Sequence, residues 1–537
     1  MSKIAIYYNT IRYLRLSQLL FLVINRLKSK RRISTPRIIS YKISNLIISS
    51  VDYDSEWIER FNIDLAFNGR IRLLNEIVEL NFSETYLSHL TPLLRNNVLY
   101  MEYAIALGVK YNQTHDIKYV NCFLKLYKDY LDSNCSPSSY IYSLHIPNII
   151  LTLNLLGEAL NEQELQRIIA ELFIQYKYIQ RHQEKHLLAN HYLENLKALV
   201  IGSLVFGENK KFKKYYKAFR KELIKQINDD GLHFELSAMY HKIILEDLLR
   251  VYRVLQSFGR TDTDWLEIWI NKMSNAAFAM ESGFNRTPLF NDAGDNVSKS
   301  ISSLIRAAKE ICGFTLDTSH TLSSSGYFRL NNRDISVIFD AGKPGPEYQP
   351  GHVHNDCLSF ELAYKGRLIF VNCGTLLYQG KLRQFFRSTM AHNTVMIEGV
   401  EQSQCWGEHR VAKRCKVIST ITNEREITAE IEDYMYNKIK RCISLEGNLF
   451  SVLDSTSLVE GKYVCSYLHV PIEFHIEVQE KFIRIGDFAV ISPVNCKITK
   501  YQECDYAPEF GKSTKCTLLE FRWYADDYKH GYQVNFI

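Results

Sequence analysis

Gly351-His-Val-His-Asn-Asp356 runs through Cys357 into Leu358-Ser-Phe-Glu-Leu-Ala-Tyr364. The second stretch alternates as a strand does, and the first follows a Pro/Gly-rich loop, so the pair of histidines stands beside a sheet edge. On an extended chain His352 and His354 share one face, and the carboxylate of Asp356 follows two residues later. Histidine is the side chain most readily used as a base, an acid or a metal ligand near neutral pH. Chemistry is therefore expected here.

Working outward, short alternating runs recur from about residue 320, at 326–330, 335–339, 394–397, 427–431, 450–453 and 482–485. Turns such as Lys365-Gly366 and Glu446-Gly447 punctuate them, and together they predict an antiparallel β-sandwich. Upstream, from about 55 to 310, the period changes. Segments 164–180, 190–206, 211–227 and 235–258 repeat apolar residues at spacings of three and four, which predicts amphipathic helices. Short polar connections such as Asn228-Asp-Asp-Gly231 predict antiparallel helix pairs, and no repeat of fixed period is visible. The expected fold is α+β and multidomain: a helical lead segment over 1–54, a helical domain over 55–315 and a β-sandwich over 320–537. Clefts between domains are favoured binding sites.

The chain has 537 residues, 46% hydrophobic and 23% charged, with a net charge of +6. These values are those of a soluble globular protein of two or three domains. The charge is mild, and no basic run has the density of a nucleic-acid arm, so nucleic acid is not an expected partner. The 34 Tyr and 28 Phe suit sugar-stacking platforms as well as aromatic cores. The 12 Cys form no CxxC pair and no disulfide-scaffold spacing, which points to free thiols and a reducing compartment. Near the N-terminus, Leu19-Leu-Phe-Leu-Val-Ile24 is apolar, but the basic cluster Arg26-Leu-Lys-Ser-Lys-Arg-Arg32 follows it. That order, without a small-residue cleavage site, does not read as a cleavable signal, and the run is far short of the ~20 residues that span a bilayer. A helix packed on the first domain is the expectation. A helix making peripheral membrane contact is the alternative.

Several clusters can carry chemistry. Ala189-Asn-His-Tyr-Leu-Glu194 opens a periodic helix, with Asn190 in its first turn and His191 and Glu194 at i, i+3. Asp230-Gly-Leu-His-Phe-Glu-Leu-Ser-Ala-Met-Tyr-His241 is a turn crowded with Asp230, His233 and Glu235, leading to Tyr240 near a helix start. Leu289-Phe-Asn-Asp-Ala-Gly-Asp-Asn296 is a loop of acceptors near the domain boundary. In the β half, His352 and His354 are joined by Asn372, Arg387 and Ala391-His-Asn-Thr394. The turn at Lys365-Gly366 can return Asn372 to His354.

These residue types suit β-elimination on a uronic acid. That reaction neutralises the carboxylate, removes the hydrogen α to it and protonates the departing glycosidic oxygen. An amide can serve the first role, and His or Tyr the other two. A hydrolase with paired carboxylates, drawn from Asp292, Asp295, Glu194 and Glu235, is the competing scheme.

The same four segments, at 189–194, 235–241, 351–356 and 387–394, resemble the heparinase II/III-like polysaccharide lyases, in family order across most of the chain. The resemblance implies an (α/α) toroid of antiparallel helix pairs followed by an antiparallel β-sandwich. It also implies a lyase acting on an anionic, uronate-containing polysaccharide, within bacterial surface-polysaccharide metabolism. Asn190 would neutralise the carboxylate and His352 would help from the sandwich side. His191 would be the base for one epimer, and Tyr240 the acid, or both acid and base. Glu194, Glu235, His145 and Arg387 stand in matching motifs as candidates for substrate contacts. His145 lies in Ser143-Leu-His-Ile-Pro-Asn148, where the family usually has Arg. The reaction requires no cofactor. Family members with a structural zinc hold it in the sandwich, at positions matching His354, Asn372 and His392, with Asp in place of Asn372.

The resemblance implies a cell-envelope or periplasmic setting, whereas the cysteines and missing signal lean toward the cytoplasm. A relative that binds or presents a surface polysaccharide without cleaving it is the alternative function.

Overall fold

In the computed structural model, which describes residues 3–27, 39–43, 46–133, 135, 137–526 and 528–537, helices run from Lys3 to Cys312 and strands dominate from Tyr327 to Phe536. The helices are of two kinds. Ser139–Leu156, Ala189–Val205 and Ala238–Ser257 are buried on nearly every side. Ile117–Asp132, Glu162–Arg181 and Asn209–Gln226 bury one stripe and present charge on the other. A helix enclosed all round belongs to an inner layer and a striped one to an outer layer. The two kinds pack together, Ser139–Leu156 on Glu162–Arg181 and Ala189–Val205 on Asn209–Gln226. This is the double-layered (α/α) toroid. Local chemistry sets its joints: Asn161 and Glu164 form a reciprocal capping box at the start of Glu162–Arg181.

The β half holds an eight-stranded and two four-stranded antiparallel sheets among the described residues. Tyr327–Asn331, Ile335–Asp340, Phe360–Tyr364 and Arg367–Phe370 are consecutive in one sheet. Their Phe339 and Phe360 join Phe450, Val464 and Tyr532 of the other two in one core. Lys365 and Gly366 both have positive φ, the hairpin turn that matches strand twist. Two elements depart from the expected pattern. A hairpin of Arg70–Leu73 and Glu76–Glu79 interrupts the helical half, and a helix, Gly380–Phe386, interrupts the β half.

The lead segment forms the helices Lys3–Ile11 and Leu16–Leu27. They pack across both halves: Gln18 Nε2 donates to the carbonyls of His186 and Tyr348, each at 3.3 Å, and Trp406 Nε1 donates to Thr10 Oγ1 at 2.9 Å. The residues turned inward are polar, while Ile4, Leu16, Leu20, Val23 and Leu27 face outward. No helix is long and apolar enough to cross a membrane among the described residues. The basic cluster after Leu27 lies outside them.

Candidate functional site

Ser237 ties the site together. Its Oγ caps the Ala238–Ser257 helix by accepting from the Tyr240 amide at 3.3 Å, and it donates to the Asp292 carbonyl at 2.6 Å. The Asp292 amide in turn donates to the His352 carbonyl at 3.0 Å. The helix start that carries Tyr240, the 289–296 loop and the histidine loop are thereby locked to one another across the domain junction. Leu188, Ala189, Leu236, Asn291 and Leu358 all have positive φ, a conformation uncommon for such residues. Local strain of this kind is characteristic of segments that position functional groups.

The histidine loop is irregular, not an extended strand, and His352 and His354 meet at one carboxylate. Asp292 Oδ2 accepts from His352 Nδ1 and Oδ1 is bonded to His354 Nε2, each at 2.8 Å. Arg383 grips both oxygens of Asp292, with Nη2 at 2.8 Å from Oδ2. Burial alone would raise the Asp292 pKa. The Arg383 guanidinium and the two histidine bonds outweigh it and hold the carboxyl well below its usual range. His352 keeps an Nε2 without a protein partner among the described residues, and its ring lies 4.0 Å from that of Tyr240. The Tyr240 and Tyr378 hydroxyls are 2.7 Å apart. Burial, then the neighbouring Tyr378 and Asp292, push the Tyr240 hydroxyl well above its ordinary pKa, so it is protonated at neutral pH.

On the toroid side, Asn190 is buried at the start of Ala189–Val205. His191 Nδ1 bonds Glu184 Oε2 at 2.9 Å and its ring lies 4.3 Å from that of Tyr140. Tyr140, Tyr240 and Tyr378 line one cavity of about 170 Å³, together with Glu194, Lys197 and Arg250. Tyr140, packed on His191, and Tyr240, packed on His352, face this one cavity, while Asn190, His191 and His352 stand behind its lining. Such an arrangement can take a proton from carbon and give one to oxygen.

Other expected residues sit differently. Glu194 lines the cavity, but it is buried in an ion pair with Lys197 at 2.5 Å. Glu235 is buried with both oxygens free of hydrogen bonds among the described residues, 3.8 Å from His233 Nδ1, and burial raises its pKa. His145 does not reach the cavity. It packs against Tyr127 and Tyr130 with neither nitrogen bonded among the described residues, and burial lowers its pKa to about 3. Arg387 is fully buried and donates to the carbonyls of Val353 and Glu408, so it pins loops and does not face substrate. Of the four carboxylates of a hydrolase scheme, three are engaged, Asp292 by Arg383, Glu194 by Lys197 and Asp295 by the Thr287 amide, and the fourth, Glu235, is buried away from the cavity.

For a metal, His354 Nδ1 and His392 Nε2 are 3.3 Å apart, about the spacing of two imidazoles on one tetrahedral ion. Asn372 does not complete the set. Its Oδ1 accepts from the Asn393 amide at 3.0 Å and its NH2 has no partner among the described residues. Two imidazoles without an anionic third ligand do not fit a structural zinc.

Three contributors were not singled out from the sequence. Tyr378 carried no motif. Arg383 stands one helical turn before Arg387 on Gly380–Phe386, and spacing alone could not choose between them. Glu184 precedes its helix and reaches His191 only through the turn at 184–188.

A family model described as "Heparinase II/III N-terminus" matches residues 89–313, and one described as "Heparinase II/III-like, C-terminal" matches 315–491. A curated protein named heparin-sulfate lyase, from Pedobacter heparinus, is 23% identical over 340 residues, 55% of this chain and 50% of that protein. The chain therefore matches about half the length of this relative. Among solved structures, one titled heparinase III aligns with a TM-score of 0.67 at 15% identity, covering 97% of this chain and 89% of the other. One titled heparan sulfate lyase, from Pedobacter heparinus, aligns with a TM-score of 0.57 at 17% identity, covering 97% and 88%. At such identities the structures speak for the fold.

Proposed function

The chain belongs to the heparinase II/III-like family, and from that premise we propose that it is a lyase cleaving a uronate-containing polysaccharide by β-elimination. The observation that carries this reading is the contact of Tyr240 with His352, 4.0 Å between rings, with His352 anchored on Asp292. Asn190 and His352 bind the uronate carboxylate and draw charge from it. His191, backed by Glu184, takes the hydrogen α to that carboxylate. The electron pair left behind forms the ring double bond, the carbon–oxygen bond to the next sugar breaks, and Tyr240 protonates the departing oxygen. A hydroxyl held protonated suits that last role, and Tyr378 offers it a route for reprotonation. These groups act without a cofactor.

The charge of the cavity bears on the substrate. Arg60 pairs with Glu102 at 2.7 Å, Lys197 with Glu194 and Asp247, and Arg250 with Glu246 at 3.0 Å. Cations so matched leave little positive charge for sulfates. A glycosaminoglycan of low sulfate content, related to the substrates named in the relatives' titles, fits better than a densely sulfated one. Incubating the purified chain with uronate polymers of graded sulfation, and following absorbance of the unsaturated product, tests both points. New reducing ends without unsaturation would indicate a hydrolase, and binding without either a presenting protein.

We infer further that the lead helices rest on an anionic lipid surface. They turn apolar side chains outward, with Leu16 84% and Leu27 79% exposed. The first 51 residues carry ten Lys and Arg and no Asp or Glu. An exposed apolar face in a stretch of sequence rich in Lys and Arg and without carboxylates suits the headgroup region of an anionic bilayer. This contact supports a cell-envelope setting over a free cytoplasmic one.

A further inference from the structure

The buried thiols of Cys373, Cys504 and Cys516 lie within 4.8 Å of one another in the β half. Cys504 and Cys516 are direct partners across Lys497–Glu509 and Lys512–Tyr524, with sulfurs 3.2 Å apart, far longer than a disulfide bond. Cys373 comes from the segment after Arg367–Phe370, where its carbonyl accepts from the Ala507 amide at 2.8 Å. That approach needs Gly374. A Cβ there would stand 2.1 Å from the Ala507 oxygen, and φ is +78°.

His469 lies beside this cluster, outside the 4.8 Å within which the three sulfurs meet. On Tyr463–Pro471 it pairs with Leu518, two residues from Cys516 on the same strand face. Its tautomer is set by Asn393, whose Nδ2 donates to the Phe360 carbonyl at 2.9 Å and whose Oδ1 accepts from the His469 amide at 2.7 Å. With that oxygen so placed, the Nδ1 contact at 3.1 Å makes Nδ1 the protonated nitrogen. Nε2 then carries a lone pair, is fully buried and has no hydrogen-bond partner among the described residues.

The geometry points to a structural zinc site in which Cys373, Cys504 and Cys516 supply three thiolates and His469 Nε2 the fourth ligand. Three sulfurs and one imidazole form one of the closed tetrahedral sets that zinc takes, with sulfurs about 3.8 Å apart for bonds of about 2.3 Å. Binding releases the three thiol protons. It shares no ligand with His354 and His392. The ion would join three neighbouring strands to the segment that leads to Thr375, whose hydroxyl is 3.4 Å from Asp292, and to Tyr378. Its role is to hold the loop that presents Tyr378 to Tyr240.

The test is metal analysis of the full chain after chelator washing, with X-ray absorption at the zinc edge. One zinc per chain with three sulfur neighbours is expected, retained in His392→Ala and lost in Cys373→Ser and Cys516→Ser. Should those variants fail to fold, cobalt(II) in the unaltered chain is expected to show thiolate-to-metal charge-transfer bands. Absence of zinc, a zinc with only nitrogen and oxygen neighbours that His392→Ala abolishes, cobalt without those bands, or a Cys504–Cys516 disulfide by mass spectrometry would overturn the assignment.

Discussion

His352 Nδ1 and Asp292 Oδ2 are 2.8 Å apart, and the same carboxylate faces Arg383, which is fully buried. Replacing Asp292 by Asn would leave that guanidinium without its counter-charge. A broken buried pair costs about 3–5 kcal/mol, so Asp292→Asn is expected to lower the melting temperature markedly. Asp292→Asn with Arg383→Met should recover part of the loss, because both charges are then removed. Thermal melting of the three proteins checks this.

Acid should destabilise the fold before most carboxylates titrate. Burial lowers the pKa of His354 and His241 to about 4 and that of His145 to about 3, while unfolded histidine titrates near 6.5. Between those values the unfolded chain binds protons that the folded chain refuses, so stability falls as pH falls from about 6.5 to about 4. Asp292 acts in a lower window. Its folded pKa is depressed, so its contribution persists until pH drops below about 3.9. Melting temperatures from neutral pH down to pH 4.5 should fall steadily, and His145→Leu should weaken that slope while raising the melting temperature itself.

Much of this was legible from the chain, and the reasons are local. The change of period near residue 320 placed the helical and β halves, because both elements write their burial into sequence spacing. The Asn190–His191 and Tyr240 segments open helices, where turn residues mark the boundary. The role of Asp292 as the junction of His352, His354 and Arg383 was not legible. It depends on three loops brought together by the domain contact, and loops leave no periodicity. His145 and Arg387 were misplaced for the opposite reason: each sits in a motif, yet the packing around it turns the side chain inward.

Tyr378 separates positioning from catalysis. Removing its hydroxyl costs Tyr240 one hydrogen bond, worth about 0.5–1.5 kcal/mol, so Tyr378→Phe should slow turnover between about two- and tenfold. Tyr240→Phe removes the acid and should cost about 10²–10⁴-fold. Equal losses in steady-state assays would contradict the division of roles.

The lead helices provide a test apart from the chemistry. The chain should sediment with vesicles containing phosphatidylserine and not with pure phosphatidylcholine. Leu16→Ser combined with Leu20→Ser and Val23→Ser should abolish this while leaving the fold intact. Loss of a dimer in that variant, without any vesicle binding by the parent, would instead mark the face as an interface between two copies.

The most direct measurement is absorbance of the unsaturated uronate product when the unaltered chain and Tyr240→Phe are incubated with a low-sulfate glycosaminoglycan. The expected result is a steady rise for the unaltered chain and near-complete loss for Tyr240→Phe, with that variant still folded and still binding the polymer. An equal rise from both proteins, or new reducing ends with no unsaturated product, would contradict the lyase assignment.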